Sequence, residues 1–388
     1  MNILFFHVNC INPTGGGISR ITHIMAKTFV AKGHSVFFLS KEELIEGASR
    51  DQYVLPDKQE VYSEKNKRFL IDFCKEKHID VIVNQSALLL TFGKLMTEVP
   101  DVKRISVLHS SLFVPYRHSA YLIEYNLKKK GLGFVMPILK TQLVNKIVLR
   151  YIINKRRPLY QAMVDFSDAV IALTQGQVDD FKLILTKEQL DKVHVIHNCI
   201  EPNTSQPGNN ERKKQVLWVG TIDFKIKRTD LMLQIWKQVT KYHSDWQLKI
   251  LGDSPDAKEA KEYATKLKVE HVEFVGRVNP EPYYQESEIV CVTSTHECFC
   301  MVLLEALKYG VIPMAFDSFP AAKEEINGGK SGLLIPAFNV KQYSRKVSEL
   351  MDDHEERMRL RKGALDSACK FDSSIIVDKW IELINRIL

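Results

Sequence analysis

No window of this 388-residue chain holds 18 consecutive apolar residues, which excludes a transmembrane helix by hydropathy. Its seven cysteines (10, 74, 199, 291, 298, 300, 369) are odd in number and lack C-x-x-C spacing. That argues for reduced thiols in a cytosol and against a disulfide scaffold or a zinc site. The twelve histidines form no H-E-x-x-H, and no two aspartates stand two apart, so the Asp-x-Asp pair that would hold a cation on a diphosphate is missing. The first eight residues, Met-Asn-Ile-Leu-Phe-Phe-His-Val, carry no basic region and read as a core strand rather than a signal peptide.

What is present predicts two domains. A chain this long with 45% hydrophobic residues exceeds one core. Short apolar runs alternate with helical patterns: 2–8, 36–39, 80–83, 105–108, 169–173 and 193–196, then 216–219, 247–251, 272–275, 289–293, 311–315 and 333–335. Such alternation implies parallel sheets with right-handed crossovers, hence two doubly wound α/β domains. The stretch Pro202–Asn210, rich in Pro, Asn and Ser, reads as the linker between them. Charge is uneven: residues 1–200 hold 27 Lys and Arg against 19 Asp and Glu, and the remainder 27 against 28. Within 102–164 twelve basic side chains accompany one acid, Glu124, and apolar residues interleave with them. A basic amphipathic stretch of this kind suits an anionic membrane surface, and residues 128–157 are its candidate segment. No base-stacking pattern accompanies the charge, which weighs against nucleic acid.

The most informative stretch is Ser-Thr-His-Glu-Cys-Phe-Cys-Met-Val-Leu-Leu-Glu-Ala-Leu-Lys-Tyr-Gly, 294–310. It follows a strand-like run and enters a helical pattern at Met301. The unpaired N–H groups of a helix start, with its dipole, attract a phosphate. Glu297, in the loop, would repel a bare phosphate and suits sugar hydroxyls instead. Glu305, two turns into the helix, would reach a ribose. The pair fits a nucleotide-sugar. A second loop, Gly15-Gly-Gly17-Ile-Ser-Arg20, follows the first strand, yet Arg20 stands where a dinucleotide fingerprint needs a small residue, so a dinucleotide reading is weak.

The 294–310 segment resembles the Ser-x-x-Glu-Gly-Phe-Gly…Leu-Glu-Ala signature of glycosyltransferase family 4. The resemblance extends to Pro13–Gly17, Val195-Ile-His-Asn198, Val219-Gly220 and Asn327-Gly-Gly-Lys-Ser-Gly332. It implies the GT-B fold, two Rossmann-like domains facing across a cleft. Residues 1–200 would bind the acceptor, 201–374 the nucleotide-sugar, and a final helix, 375–388, would cross back to the first domain. It implies a retaining, metal-independent transfer from a nucleoside-diphosphate sugar. In that scheme Gly16, Gly17, Lys225, Lys227 and the helix start at Cys300, Met301 and Val302 hold the diphosphate. Glu297, Phe299 and His109 line the sugar, Glu305 takes the ribose, and His109, Glu297 and Lys227 form the catalytic set. The family's Gly-Arg is replaced here by Gly220-Thr221, so the cations after it, Lys225, Lys227 and Arg228, must neutralise the phosphate. Cys298 and Cys300 stand where the family has glycine.

The implied acceptor is a glycan, lipid-linked given the basic segment, in surface polysaccharide assembly by a cytoplasmic protein at the inner face of the cell membrane. Two other classes fit the same sequence: a nucleotide-sugar epimerase of the same fold, and a non-catalytic sugar-nucleotide-binding membrane scaffold. No resident cofactor is implied.

Overall fold

A computed structural model describes residues 1–13, 15–44, 51–202 and 212–388; most of the expected linker, 203–210, lies outside them. The strands are β1 (Asn2–His7), β2 (Ser35–Ser40), β3 (Gln52–Val54), β4 (Val81–Asn84), β5 (Lys103–Leu108), β6 (Ala169–Ala172) and β7 (Val193–Val195), then β8 (Lys213–Val219), β9 (Gln247–Leu251), β10 (Val272–Gly276), β11 (Ser287–Val292), β12 (Ile312–Asp317) and β13 (Leu333–Pro336). Among the helices are α1 (Gly17–Ala31), α2 (Ser119–Lys129), α3 (Gln142–Asp165), α4 (Thr229–Val239), α5 (Glu281–Glu286), α6 (Met301–Tyr309), α7 (Pro320–Glu325) and α8 (Ser373–Ile387). The chain divides into two compact units. One holds Met1–Leu112, Tyr151–Pro202 and Phe371–Leu388; the other holds Phe113–Arg150 and Asn203–Lys370.

In the first unit the sheet order is β3-β2-β1-β4-β5-β6-β7, all parallel, with Leu4 opposite Phe37 and Ile82. Helices cover both faces of such a sheet, which is why β4 and β6 are buried at every position and read as apolar runs, broken only at the last residue of β4, Asn84. Helix α1 turns Ile21, Met25 and Phe29 inward, and α8 packs beside it, with Thr28 Oγ1 donating to Ser373 Oγ at 3.0 Å. The three-residue edge strand β3 has no apolar run and is not among the strands expected from the pattern.

The second sheet runs β10-β9-β8-β11-β12-β13, again all parallel. Trp218, Trp236, Met232, Ile250 and Tyr343 fill its larger core. Strand β9 is followed by Gly252, whose φ is +146° and where a Cβ would lie 1.8 Å from the Gly220 carbonyl oxygen; only glycine fits. The motif Asn327–Gly332 has a similar basis, since a Cβ at Gly332 would meet the Pro313 carbonyl at 2.3 Å. Residues 113–150 fall within the 1–200 span expected for the first domain, yet they group with this second unit. Aromatic packing explains it. Tyr121 stacks on Phe338 with centroids 3.8 Å apart, Tyr125 lies 4.2 Å from Phe224, and the Tyr125 hydroxyl donates to Glu259 at 2.5 Å.

Candidate active site

Strand order in the second unit reverses between β8 and β11, so the loops leaving their C-terminal ends open the crevice where doubly wound sheets bind ligands. The β8 loop is shaped by one carboxylate: Asp223 Oδ1 accepts the backbone N–H groups of Lys225 (2.8 Å), Ile226 (2.5 Å) and Lys227 (3.1 Å). The β11 loop is stitched to it. Thr295 N donates to the Ile226 carbonyl at 2.7 Å, and Thr293 Oγ1 donates to the Lys227 carbonyl at 2.8 Å while accepting from Trp218 Nε1 at 3.0 Å.

These bonds bring together side chains 70 residues apart. Lys227 Nζ lies 2.5 Å from Glu297 Oε1, which also accepts from Ser294 Oγ at 2.7 Å. Burial works against the Lys227 ammonium, but the Glu297 carboxylate outweighs it and holds the lysine above its usual range. Lysine 227 therefore stays charged, with a carboxylate as its resting counter-ion. Lys225 is exposed on the same loop. Arg228 turns the other way. It adopts φ 54°, donates from Nε and Nη2 to Asp230 at 2.9 Å each and from Nη1 to the Tyr121 carbonyl at 3.2 Å, and is 2% exposed. It braces α2 against the start of α4 and is spent as a phosphate cation, contrary to its candidacy from sequence.

Helix α6 begins beyond its N-cap, Cys300. The Cys300 N–H donates to Glu325 Oε1 at 2.8 Å, so while that bond stands this amide does not reach a phosphate. Phe299 is buried, and Cys298 half-buried. One turn along α6, Glu305 Oε2 accepts from the Tyr284 hydroxyl at 2.9 Å. Met301 and Val302 occupy the first turn.

His109 and the glycine loop belong to the first unit. His109 Nε2 lies 2.5 Å from Gln85 Oε1, and burial, with His7 nearby, pulls its pKa down to about 3. The ring is neutral at physiological pH: Nε2 carries the proton to Gln85, and Nδ1 presents a lone pair. Gly16 is the N-cap of α1 and Gly17 its first residue, and a Cβ at either would meet nothing within 4 Å. Gly15 is the packed one of the three, since a Cβ there would lie 3.0 Å from the Ser19 side chain.

Sequence reasoning missed Asp223, Ser294, Tyr284 and Glu325. Ser294 opens the 294–310 motif and the other three lie outside any motif; only the loop and helix geometry gives each its partner. Glu325 is 1% exposed, and its Oε2 is buried without a hydrogen-bond partner. Burial raises its pKa well above the usual carboxylate value, with Glu297 and Glu324 adding and the Cys300 N–H opposing. The folded state thus keeps a proton that the unfolded chain loses near pH 4.5, and this contribution to stability fades as pH rises. Glu325→Gln retains the acceptor for Cys300 without the titration. It is expected to raise Tm at pH 8 by about 2–4 °C per kcal/mol recovered, with the gain shrinking toward pH 5. Thermal denaturation at both pH values measures this; an equal shift at each would contradict a neutral Glu325.

Comparison with known proteins adds four findings. Residues 200–366 match the family described as glycosyl transferases group 1. An uncharacterized glycosyltransferase of Haemophilus influenzae is 23% identical over 393 residues, 97% of this chain and 98% of that one. The N,N'-diacetylbacillosaminyl-diphospho-undecaprenol alpha-1,3-N-acetylgalactosaminyltransferase of Campylobacter jejuni is 25% identical over 337 residues, 84% of this chain and 81% of that one. Among solved structures, Anabaena HepE in complex with UDP-glucose superposes with a TM-score of 0.72 at 16% identity, covering all of both chains. That likeness fixes the fold as GT-B.

Proposed function

We propose that this chain, which belongs to the glycosyl transferases group 1 family through its residues 200–366, moves a sugar from a nucleoside-diphosphate sugar to a lipid-linked glycan with retention of configuration. The observation that carries the reading is the Lys227–Glu297–Ser294 cluster beside the start of α6, at the strand-order reversal. A diphosphate laid over the first turn of α6, at Met301 and Val302, meets the helix dipole and the Lys227 ammonium. Lys225 on the same loop adds charge where Thr221 replaces the family's arginine. With Lys227 drawn to the phosphate, Glu297 accepts sugar hydroxyls, and Glu305 accepts from the ribose. The diphosphate role of Gly16 and Gly17 and the sugar role of His109 are carried into this proposal from the family resemblance.

In the reaction the bond from the anomeric carbon to the β-phosphate oxygen breaks, and the acceptor oxygen bonds the same carbon on the same face. The acceptor's proton passes to the departing phosphate. Lysine charge, rather than a divalent ion, offsets the charge that develops on the leaving group.

Membrane proximity supports a lipid-linked acceptor, as does the undecaprenol-linked substrate named for the Campylobacter relative. Among the described residues no helix is long and apolar enough to cross a membrane. On α3, however, Leu143, Ile147 and Tyr151 form an exposed apolar stripe at helical spacing, each more than 60% exposed, with exposed Lys146, Arg150 and Lys155 around it. Phe134 and Ile138 extend the apolar surface. Lys128 and Lys129 are held by Glu124 and Glu259, so they contribute less than the sequence suggests. The exposed Lys130, Lys146, Arg150 and Lys155, at about 1 kcal/mol each, suffice for reversible binding at an anionic, cytoplasmic leaflet.

A panel of labelled UDP-, GDP- and ADP-sugars, incubated with and without membrane lipid extract, tests the reading. Label is expected in the lipid fraction only with extract present. Conversion of the free donor sugar without extract would instead indicate an epimerase, and no product with any donor a non-catalytic protein. Neutralising Lys130, Lys146, Arg150 and Lys155 together is expected to abolish co-sedimentation with anionic vesicles at low salt; unchanged co-sedimentation would sink the membrane contact.

A further inference from the structure

The Tyr284 hydroxyl is the one polar atom of a side chain otherwise committed to the core. Its ring packs among Leu217, Leu251, Val290 and Val311 and lies parallel to the Tyr309 ring, 6° between planes and 5.8 Å between centroids. Residue 284 is 1% exposed, so the hydroxyl cannot turn to bulk water. The backbone is fixed as well. The half-buried Arg212 guanidinium donates to the carbonyls of Tyr284 at 3.1 Å, Ser287 at 2.5 Å and Tyr309, tying the end of α5 to the end of α6. A rigid O–H thus meets Glu305 Oε2 at 2.9 Å.

A glutamate on a helix surface samples several rotamers, and ordering them opposes ligand binding. A fixed hydrogen-bond donor removes that freedom before the ligand arrives, and it leaves the carboxylate charged as an acceptor. Phosphate contacts cannot distinguish a ribose from a deoxyribose; a carboxylate held to accept from the sugar hydroxyls can. From this geometry we infer that Tyr284 is a positioning residue, which orients the Glu305 carboxylate toward the ribose hydroxyls and so sets a preference for ribonucleotide donors. The inference rests on the reading of Glu305 as the ribose contact.

Calorimetric titration of the full chain with UDP, GDP and ADP, each beside its 2′,3′-dideoxy form, supplies the test, read on the base that binds tightest. Tyr284→Phe keeps the buried ring and loses only the hydroxyl. It is expected to weaken the ribonucleotide about fivefold to twentyfold and the dideoxy nucleotide by less than twofold, with Tm near wild type. In steady state the donor KM rises and kcat holds. Glu305→Ala is expected to erase the discrimination between the two sugars, and adding Tyr284→Phe to it costs nothing more. Equal weakening of both nucleotides by Tyr284→Phe, or none, overturns the positioning role. If Glu305→Ala keeps the full wild-type discrimination, the ribose reading of Glu305 fails instead.

Discussion

Replacing Glu297 by alanine is expected to lower kcat by a hundredfold or more while binding of the free nucleoside diphosphate holds or tightens. In the proposed role the carboxylate faces the sugar, whose charge and shape change as the bond to phosphate breaks, so its contacts would strengthen in the transition state and their loss would fall on kcat. A hundredfold corresponds to about 2.7 kcal/mol, the scale of one or two charge-assisted hydrogen bonds in a shielded site. The structure adds the second half of the expectation. Glu297 is the resting partner of Lys227 at 2.5 Å, and a diphosphate must compete with it for the ammonium. Removing the competitor leaves the lysine to the phosphate. Steady-state kinetics and calorimetry on the same protein check both halves. A variant that keeps kcat and loses nucleotide affinity would show that Glu297 and Glu305 have exchanged roles.

The second large effect concerns Lys227. Lys227→Ala should reduce kcat/KM by at least tenfold, and up to about a hundredfold, because a charge-assisted bond to the leaving phosphate contributes about 1.5–3 kcal/mol. Here nucleotide affinity falls together with rate, the opposite of the Glu297 signature. The same substitution leaves Glu297 without its cation, so Tm is measured alongside. Lys227→Arg keeps the charge and separates lost folding from lost chemistry. For the unaltered protein, EDTA and added Mg²⁺ are expected to change the rate little. A strict requirement for a divalent ion would place the neutralising charge elsewhere.

Much of the fold is written in the apolar runs. A parallel strand covered on both faces is apolar through its centre, as at Val81–Val83 or Ala169–Ala172, and turn residues bracket it. Strand ends are less legible. β11 begins at Ser287 and β12 continues to Asp317, because ladder hydrogen bonds extend past the apolar residues that mark the strand in sequence. The edge strand Gln52–Val54 needs only one neighbour and carries no such run. Residues 113–150 were assigned by position in the chain, whereas Tyr121 and Tyr125 group them with the second unit through Phe338 and Phe224, contacts more than 95 residues away in sequence.

For the candidate site, the helix start and both glutamates are visible in one contiguous motif. The ion pair joining Glu297 to Lys227 is not, since it depends on how two loops from adjacent strands are tied. Arg228 illustrates the converse. By type and spacing it equals Lys227, but a left-handed backbone at its position sends the guanidinium to Asp230. Tyr284 and Glu325 leave no mark in the sequence, because their significance is a single contact each.

Asp223 has a consequence for how this site could diverge. By taking three consecutive amides, one carboxylate sets the course of the 225–227 backbone without help from the side chains it carries. Residues 225 and 227 are therefore interchangeable heads on a fixed mount: their chemistry can be altered while the path of the chain is kept. Variation in the donor accepted can then arise by exchanging side chains there, with no insertion, deletion or refolding of the loop. Exchanging Asp223 itself would release all three amides at once.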